Sequence, residues 1–579
     1  MRRSAGSTEE RKRISKLIWR LTRDGLRAYR TKQATDKLNE FRKLENLQKL
    51  HMYPITKTHT AGPNLESCAK LLQKVFTTEN QMEYETNYSV MPFSLEELEF
   101  ALKRMRKGRC NDKDGFFLEM FLYCGSENLQ ILCNHLNHIL HEKCIPEKWC
   151  DTFFSLLHKG GSTEDANNWR PIAILSITYK IFARLVYQRI RQDLNEHQSE
   201  DQFGFRHSRS TTHALLVLES MLSKSLEFNV PLWIVTIDLK KAFDRVDHAG
   251  LFRALRSQMD HGHVALLERL YKTQFGNVGT YRFPISRGVR QGDVLSPILF
   301  NAVLEYAMAK WKRKLTSHGF CLHPDNEHER LTNVRYADDI LLFAKSLEEG
   351  VHMVELLAEV FREFGLELNA SKTKILSTEH VEDTTIYCIT DCGEIEILAK
   401  RQKQKYLGRL FTGDIRNRGK VAVDHRICCG WMKYKALQQI YEDKHIPIKL
   451  RLKLFDVAIS STVLYALETC PLTRNLEHRL DVVQRIMLRR LVGWISTSGD
   501  TWDVIGHKMK SRLENCLRMH PIADWSAQVR TRKTKLLDNM SELPHWTMSS
   551  FEWDPIGCSS ANFYIAHRLR GRPAMRWHN

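Results

Sequence analysis

Long apolar runs are missing from this sequence. The N-terminus begins with basic residues, but no apolar stretch of signal-peptide length follows them. No segment elsewhere stays apolar over the roughly 20 residues that a helix needs to cross a bilayer. We therefore expect no membrane partner.

A cysteine framework is also missing. The fourteen cysteines are scattered, and the two closest groups, Cys388 with Cys392 and Cys428 with Cys429, lack the two-residue spacing and the partner histidines of a zinc site. Free thiols in a reducing intracellular setting are the simplest account. The sequence also contains no internal repeat and no low-complexity tract.

Acidic residues are too few to balance the basic ones. The chain carries 87 Lys and Arg against 68 Asp and Glu, a net charge of +19. The first 60 residues alone hold 16 Lys or Arg and 6 Asp or Glu. Such an excess favours a polyanionic partner, either nucleic acid or an anionic membrane surface, and we favour nucleic acid. A well-solvated basic surface is the alternative.

The 579 residues exceed the size of a single core, so two to four domains or subdomains are expected. Residues 1 to about 60 predict a basic helix or a partly disordered arm. From 150 to 420 short strand-like runs alternate with helices, which predicts an α+β core rather than a regular βαβ series. After about 420 the chain becomes helical and basic again.

Two helices are predicted ahead of that core. Ser94 and Glu97 form a capping box that precedes apolar residues at helical spacing. A second helix is expected near residues 127 to 142. We expect its apolar face to consist of Ile131, Leu132, Leu136, Ile139 and Leu140.

Aspartates stand at the ends of two predicted strands. In "PLWIVTIDLKKAFDRVDH" an alternating strand ends at Asp238, and in "NVRYADDILLFA" the neighbours Asp338 and Asp339 separate two apolar runs. A strand-turn-strand hairpin with the aspartate pair at its tip would bring Asp338 beside Asp238 if the two strands pair. A solvated turn is the alternative for the pair alone.

Three converging carboxylates repel one another unless a divalent cation lies between them. Oxygen-only ligation suits Mg²⁺ or Mn²⁺. Two such ions about 4 Å apart form the clamp used for in-line displacement at phosphorus. The aspartates therefore predict a two-metal site for phosphoryl chemistry.

The same stretches resemble motifs of reverse transcriptases, and most closely those of non-LTR (LINE-type) retrotransposons. "YADD" is similar to the catalytic hairpin of that family, and "VTIDLKKAFDRVDH" to its first catalytic strand. Five further segments match in order: "NNWRPIAILSITYKIFARLVYQRI", "SEDQFGFRHSRSTTHALL", "SRGVRQGDVLSPILFN", "FGLELNASKTKIL" and "KYLGRLF". The resemblance covers roughly residues 94 to 495.

This resemblance implies a role for each matched residue. Asp238, Asp338 and Asp339 are the implied catalytic metal ligands. Arg170, Phe243, Gln291, Gly292 and Lys372 are the implied nucleotide-binding residues, and Tyr406, Leu407 and Gly408 the implied primer-contacting residues. Ordinary core packing is the alternative for Phe243, and a solvated turn for Lys372. Two departures from the family pattern, His158 in "LLHKGG" and a missing Gly-Pro in "GRCNDKDGF", concern the fingers and not the metal site.

The implied fold class is α+β, a right-hand polymerase with fingers, palm and thumb and with basic helical regions at both ends. We expect a basic N-terminal region at 1–93, fingers and palm at 94–415, a helical thumb-like region at 416–500 and a basic region at 501–579. In the last region, "HRLRGRPAMRW" is predicted to contact phosphates, with a solvated basic tail as the alternative.

The implied function is RNA-directed DNA synthesis from a primer 3′-hydroxyl with Mg²⁺ or Mn²⁺, with template RNA, primer or target DNA and dNTPs as partners. The alternatives are a decayed polymerase that only binds nucleic acid and an intron-type maturase. Residues 1–90 lack the dispersed Asn, Glu, Asp and His set of an endonuclease, so we expect an incomplete element. A nuclear location, with a cytoplasmic ribonucleoprotein stage, follows from the family.

Overall fold

The computed structural model describes residues 63–78, 82–85, 87–109, 111–323, 329–379, 381–389, 393–443, 445–493 and 500–555. The predicted basic arm at 1–60, Cys392 and the arginine-rich segment 567–577 lie outside these residues. No helix among the described residues is both long and apolar enough to span a bilayer.

Helices make up most of the chain that the structure describes. In chain order they are α1 Leu65–Phe76, α2 Leu95–Arg104, α3 Leu118–Leu122, α4 Ser126–Glu142, α5 Glu147–Cys150, α6 Ile177–Glu196, α7 Thr211–Phe228, α8 Ala242–Arg245, α9 His248–Arg256, α10 His261–Lys272, α11 Ser296–Lys314, α12 Leu347–Arg362, α13 Arg418–Ala436, α14 Gln438–Glu442, α15 Ile448–Phe455, α16 Ser461–Val463, α17 Arg474–Val492, α18 Trp502–Met519, α19 Trp525–Asp538 and α20 His545–Glu552.

The strands are short and lie between residues 151 and 412. They are β1 Asp151–His158, β2 Trp169–Ile174, β3 Trp233–Ile237, β4 Phe275–Val278, β5 Tyr281–Pro284, β6 Phe320–Cys321, β7 Arg330–Leu331, β8 Asn333–Tyr336, β9 Asp339–Ala344, β10 Lys374–Ser377, β11 Thr385–Ile389, β12 Gly393–Leu398, β13 Lys403–Tyr406 and β14 Arg409–Thr412.

Two sheets organise the middle of the chain. A six-stranded sheet has the order β11-β12-β10-β3-β9-β8, and only β10 and β12 run parallel in it. A four-stranded sheet has the order β2-β1-β4-β5, with β1 parallel to β4. We call the first the palm sheet and the second the fingers sheet. Mixed helix and sheet is what the sequence predicted, and the α+β class is confirmed.

The central strand of the palm sheet is buried on both faces. Val235 and Ile237 belong to a large core that also contains the apolar faces of α11 and α12, whereas Ile234 belongs to a second core with α7. Successive side chains of a strand point to opposite faces, so a strand between two cores is apolar on both faces. This explains why every residue of Trp233–Ile237 is apolar except Thr236, which is only partly buried.

The capping box at Ser94 and Glu97 is present at the start of α2. The predicted face of α4 needs a correction, because Ile131 is 65% exposed and the buried side chains include Leu129 and Cys133. At 100° per residue, Ile131 lies about 200° around the helix from Leu129.

The helical region after the palm sheet is less regular than its composition suggests. After α15 the chain forms a π-helical turn at Asp456–Ser460 before the short α16. The hydroxyl of Thr462 donates to the carbonyl of Ala458 at 2.7 Å, which competes with the helical backbone pattern. Ala466, with φ +59°, then ends the helical run.

The end of the described chain returns to the palm. Trp546 on α20 and Trp553 just after it are buried in the second core against α7. The Lys224 ammonium on α7 donates to the carbonyl of Trp553. Helix α20 therefore closes the outer face of the palm sheet.

Candidate active site

The predicted convergence of the aspartates follows from strand pairing. Strands β8 and β9 form a hairpin in which Tyr336 pairs with Asp339, and β9 pairs antiparallel with β3 so that Ile340 lies opposite Ile237. Asp238 is the next residue after Ile237, so it lies at the same end of the palm sheet as the hairpin tip.

The tip of the β8–β9 hairpin is held by the segment that contains Gln202 and Gly204. Ala337 adopts a left-handed conformation, φ +57°, and its N–H donates to the side-chain oxygen of Gln202 at 3.0 Å. The N–H of Gly204 donates to the same oxygen at 2.8 Å. A Cβ on Gly204 would lie 2.4 Å from the Ala337 nitrogen, so only glycine fits against this turn.

The carboxylates act on one another electrostatically. Burial, then the charges of Asp338 and Asp238, raise the pKa of Asp339 to about 6. Burial also raises the pKa of Asp338, with a further contribution from Asp238, while the charge of Arg170 opposes the shift. Mutual repulsion of this kind is what a divalent cation relieves.

Asp238 also has two polar neighbours within the protein. The amide nitrogen of Asn369 donates to its Oδ2 at 2.8 Å, and the ammonium of Lys372 lies 3.8 Å from the same oxygen. Among the described residues, no three His, Cys, Asp or Glu side chains are arranged tightly enough to hold a metal ion as they stand. The donor chemistry nevertheless fits Mg²⁺ or Mn²⁺, because three carboxylates supply oxygen ligands and excess negative charge.

Basic side chains lie on the fingers side of the aspartates. Arg170 is exposed on β2. Lys159, directly after β1, is exposed; desolvation lowers its pKa, Arg170 and Lys372 lower it further, and Asp244 and Asp238 raise it. Lys159, Arg170 and Lys372 therefore share one electrostatic environment with the aspartates.

Sequence reasoning singled out His158 but overlooked Lys159. His158 instead packs against Trp169, with ring centroids 4.8 Å apart. The useful signal was the lysine that follows His158 in "LLHKGG", directly after a strand.

Three of the predicted nucleotide-binding residues, Phe243, Gln291 and Gly292, are held in place by contacts within the protein. The ring of Phe243 is partly exposed and stacks on Phe300, with centroids 4.3 Å apart and planes at 14°. The main-chain oxygen of Gln291 accepts from the N–H of Ala173 at 2.7 Å. Gly292 has φ +108°, and a Cβ there would lie 2.9 Å from the Ala173 oxygen, so glycine is needed where this loop crosses β2.

Asp244 is a second residue that sequence reasoning missed. Its side chain is almost fully buried, and its Oδ1 accepts from the Gln291 amide at 3.0 Å. Burial raises the pKa of this carboxyl to about 7, against the opposing effects of Lys241, Gln291, Lys159 and Arg170. The only sequence signal was an acid directly after the aromatic in "AFD".

The predicted primer-contacting residues differ in accessibility. Leu407 and Gly408 form the tip of the β13–β14 hairpin with φ +46° and +81°, and the Tyr465 hydroxyl donates to the carbonyl of Leu407 at 3.0 Å. The Tyr406 side chain is only 2% exposed in the second core. Contact with a primer is thus open to the tip but not to the Tyr406 ring.

Comparison with known proteins agrees with this geometry. Residues 157–411 match the family model "Reverse transcriptase (RNA-dependent DNA polymerase)". This segment of the chain is similar to reverse transcriptases. The predicted resemblance to reverse transcriptases of non-LTR retrotransposons is confirmed.

Two curated relatives illustrate the similarity. The Pol polyprotein of the type-1 retrotransposable element R2 from Popillia japonica is 28% identical over 46% of this chain and 38% of its own length. The RNA-directed DNA polymerase of the mobile element jockey from Drosophila funebris is 23% identical over 77% of this chain and 48% of its own length. The chain thus spans less than half the length of either relative.

Among solved structures, apo telomerase from Candida tropicalis aligns with 75% of this chain and 70% of its own, with 11% identity and a TM-score of 0.38.

Proposed function

We propose that this protein is an RNA-directed DNA polymerase that adds dNTPs to a primer 3′-hydroxyl. The observation that carries the proposal is the pairing of β3 with β9, which brings Asp238 to the same sheet end as Asp338 and Asp339 inside a reverse transcriptase domain. The partners are a template RNA, a primer or target DNA and dNTPs. Its substrate DNA makes the nucleus the proposed place of action.

The three aspartates would hold Mg²⁺ or Mn²⁺, which supplies activation of the attacking hydroxyl and stabilisation of charge on the phosphates. The chain's own residues do the rest. Lys159 and Arg170 bind the triphosphate by charge-assisted hydrogen bonds. Lys372, next to Asp238, neutralises the departing pyrophosphate.

The remaining residues select and orient the substrates. The Phe243 ring, backed by Phe300, excludes a 2′-hydroxyl. Gln291, oriented by Asp244, contacts the incoming nucleotide. The turn at Leu407 and Gly408 supports the primer end.

The test is primer extension on poly(rA)/oligo(dT) with Mg²⁺. Replacing Asp338 or Asp339 by Ala should abolish extension and leave RNA affinity nearly intact, because the polyanion is held by Lys and Arg elsewhere. Asp383→Ala, at an exposed position, is the matched control and should retain activity. If Asp338→Ala keeps more than a few per cent of wild-type activity, the metal assignment is wrong.

The same assay distinguishes the polymerase proposal from the alternative of a decayed protein that only binds nucleic acid. That alternative requires a wild-type chain that binds RNA and extends no primer. The paired aspartates, Phe243 and Gln291 are features that mere binding does not need.

A further inference from the structure

A pocket of about 790 Å³ lies in the helical region, among α13, α14, α15, α17 and α18. Its principal lining side chains are Trp431, Tyr434, Lys435, Arg451, Arg490 and Arg512. The volume is in the range of small-molecule and cofactor sites. The pocket lies after the matched reverse transcriptase segment, and none of the proposed polymerase residues lines it.

The charge of the pocket is strongly positive. Four cationic side chains line it, against the single carboxylate of Glu442. Within the described chain, none of these four cations forms an ion pair. By contrast, Arg479 and Arg485 on the same helix α17 pair with Asp424 and Asp524. The positive charge of the pocket is therefore available to an anion.

One of these cations is fixed in place. Arg451 is only 9% exposed, and its guanidinium donates to the main-chain oxygens of Tyr441, Leu491 and Ile446 at 2.8 to 3.1 Å. Burial and the nearby charge of Arg512 both lower the pKa of Arg451. Arg451 and Arg512 line the same pocket and act on each other electrostatically, and paired guanidinium groups match a phosphate.

An aromatic surface accompanies the charge. Trp431 is partly exposed, with its ring 5.7 Å from that of Tyr434, which in turn lies 5.0 Å from Tyr441. The guanidinium of Arg490 lies 4.9 Å from the centre of the Trp431 ring. An aromatic ring with arginines beside it is the usual stacking site for an unpaired base.

We propose that this pocket binds one unpaired nucleotide of a single-stranded nucleic acid, with the base stacked on Trp431 and the phosphates held by Arg451, Arg490 and Arg512. The proposal goes beyond the polymerase reaction and requires no catalysis at the palm. Free nucleotides offer the same chemistry, and the experiment separates them.

The experiment measures binding of a short fluorescein-labelled oligoadenylate to the full chain by anisotropy over a range of salt concentrations. Trp431→Ala should weaken binding roughly tenfold or more, the size of one base–aromatic stack, without changing the salt slope. Arg512→Ala should reduce the slope of log K against log salt by about 0.7, the value for one phosphate on a single strand.

Two variants serve as matched controls. Trp502 is 79% exposed and does not line the pocket, so Trp502→Ala should bind as the wild type. Arg485→Ala removes a paired arginine from the same helix outside the pocket and should have little effect. Equal affinity of Trp431→Ala and Trp502→Ala would overturn the proposal, because only phosphate attraction would then remain.

A second measurement uses the wild-type chain, so its result does not depend on whether Trp431→Ala folds correctly. An oligonucleotide containing 4-thiouridine, cross-linked to the wild-type chain, should label the peptide that contains Trp431 and Tyr434. No label there overturns the proposal. If ATP removes that label, a free nucleotide is the occupant and the single-strand assignment fails.

The result is independent of the polymerase proposal. Primer extension by Trp431→Ala at saturating primed template should match the wild type, whereas the aspartate variants should lose extension and keep the cross-link.

Discussion

Phe243 is the residue for which we propose two roles, packing in the core and selection of the sugar. One face of its ring is stacked on Phe300, while the side chain remains partly exposed toward the predicted nucleotide pocket. Phe243→Val should therefore raise ribonucleotide incorporation by roughly one to two orders of magnitude, since discrimination by shape amounts to a few kcal/mol at most. The measurement is the ratio of kcat/KM for rNTP and dNTP. An unchanged ratio would assign the ring to packing alone.

Asp244 gives a prediction about pH. Its pKa is raised to about 7 in the folded protein from an ordinary 3.8, so the folded state binds the proton more tightly than the unfolded state. Stability then falls as pH rises from about 4 to about 7. Asp244→Asn keeps an acceptor for Gln291 and removes this loss, so it should stabilise the protein by up to a few kcal/mol above pH 7.

Thermal unfolding against pH, without nucleotide, checks this expectation. The difference between Asp244→Asn and the wild type should shrink toward zero near pH 4, where both side chains are neutral. A difference of constant size at all pH values would mean that Asp244 does not titrate in this range.

A single residue could be singled out from the sequence only where the residues around it form an unusual pattern. Asp238, Asp338 and Asp339 were recognisable because acids at the ends of apolar strands are costly. Lys159 and Asp244 were not, because a basic residue in a loop and an acid after an aromatic are common. Their significance comes from long-range packing that brings β1, β2 and the Gln291 loop together.

The β8–β9 hairpin is the element on which the proposed active site depends. Its tip is held by Gln202 and by the close approach of Gly204. Gly204→Ala should force the Cβ against the hairpin backbone, costing about 1–3 kcal/mol of stability and displacing Asp338. Both the melting temperature and primer extension should fall.

Gly506 on α18 provides the matched control, because a Cβ there meets nothing within 4 Å. Gly506→Ala should be neutral or stabilising by up to about 1 kcal/mol, as expected for alanine in a helix. If Gly204→Ala behaves in the same way, the hairpin tip is not supported as described.

Elements were predictable where periodicity was strong. The run from Trp233 to Ile237 predicts a strand because every residue except Thr236 is apolar, and two cores explain that pattern. The break after α15 could not be read from periodicity, because it arises from hydroxyl groups that bond to their own helix. Ile131 was misplaced because its helix carries apolar residues on more than one face.

Across the whole molecule, a buried charge cluster joins the palm to the helical region. Glu219 on α7 is fully buried and pairs with Arg409 on β14 and Arg418 on α13. Burial alone would raise the pKa of Glu219, but the two arginines hold it below its ordinary value. Glu219→Gln leaves two buried cations without their carboxylate and should cost about 3–5 kcal/mol.

Denaturant unfolding measures this loss, and limited proteolysis of the helical region should become faster. Glu382→Gln, at an exposed position, is the control and should change neither. Unaltered stability of Glu219→Gln would show that the cluster contributes no net coupling between the two regions. The domain limits predicted from sequence stay predictions, and this experiment bears on the boundary near 416.

The return of α20 to the palm has a consequence for biosynthesis. Lys224 and Trp553 are in contact although 329 residues separate them, and Trp546 and Trp553 complete a core that begins with α7. During translation, α7 and the outer face of the palm sheet leave the ribosome long before the residues that cover them. The nascent chain therefore carries an uncovered apolar face through most of its synthesis, and its need for chaperones should be greatest in that interval.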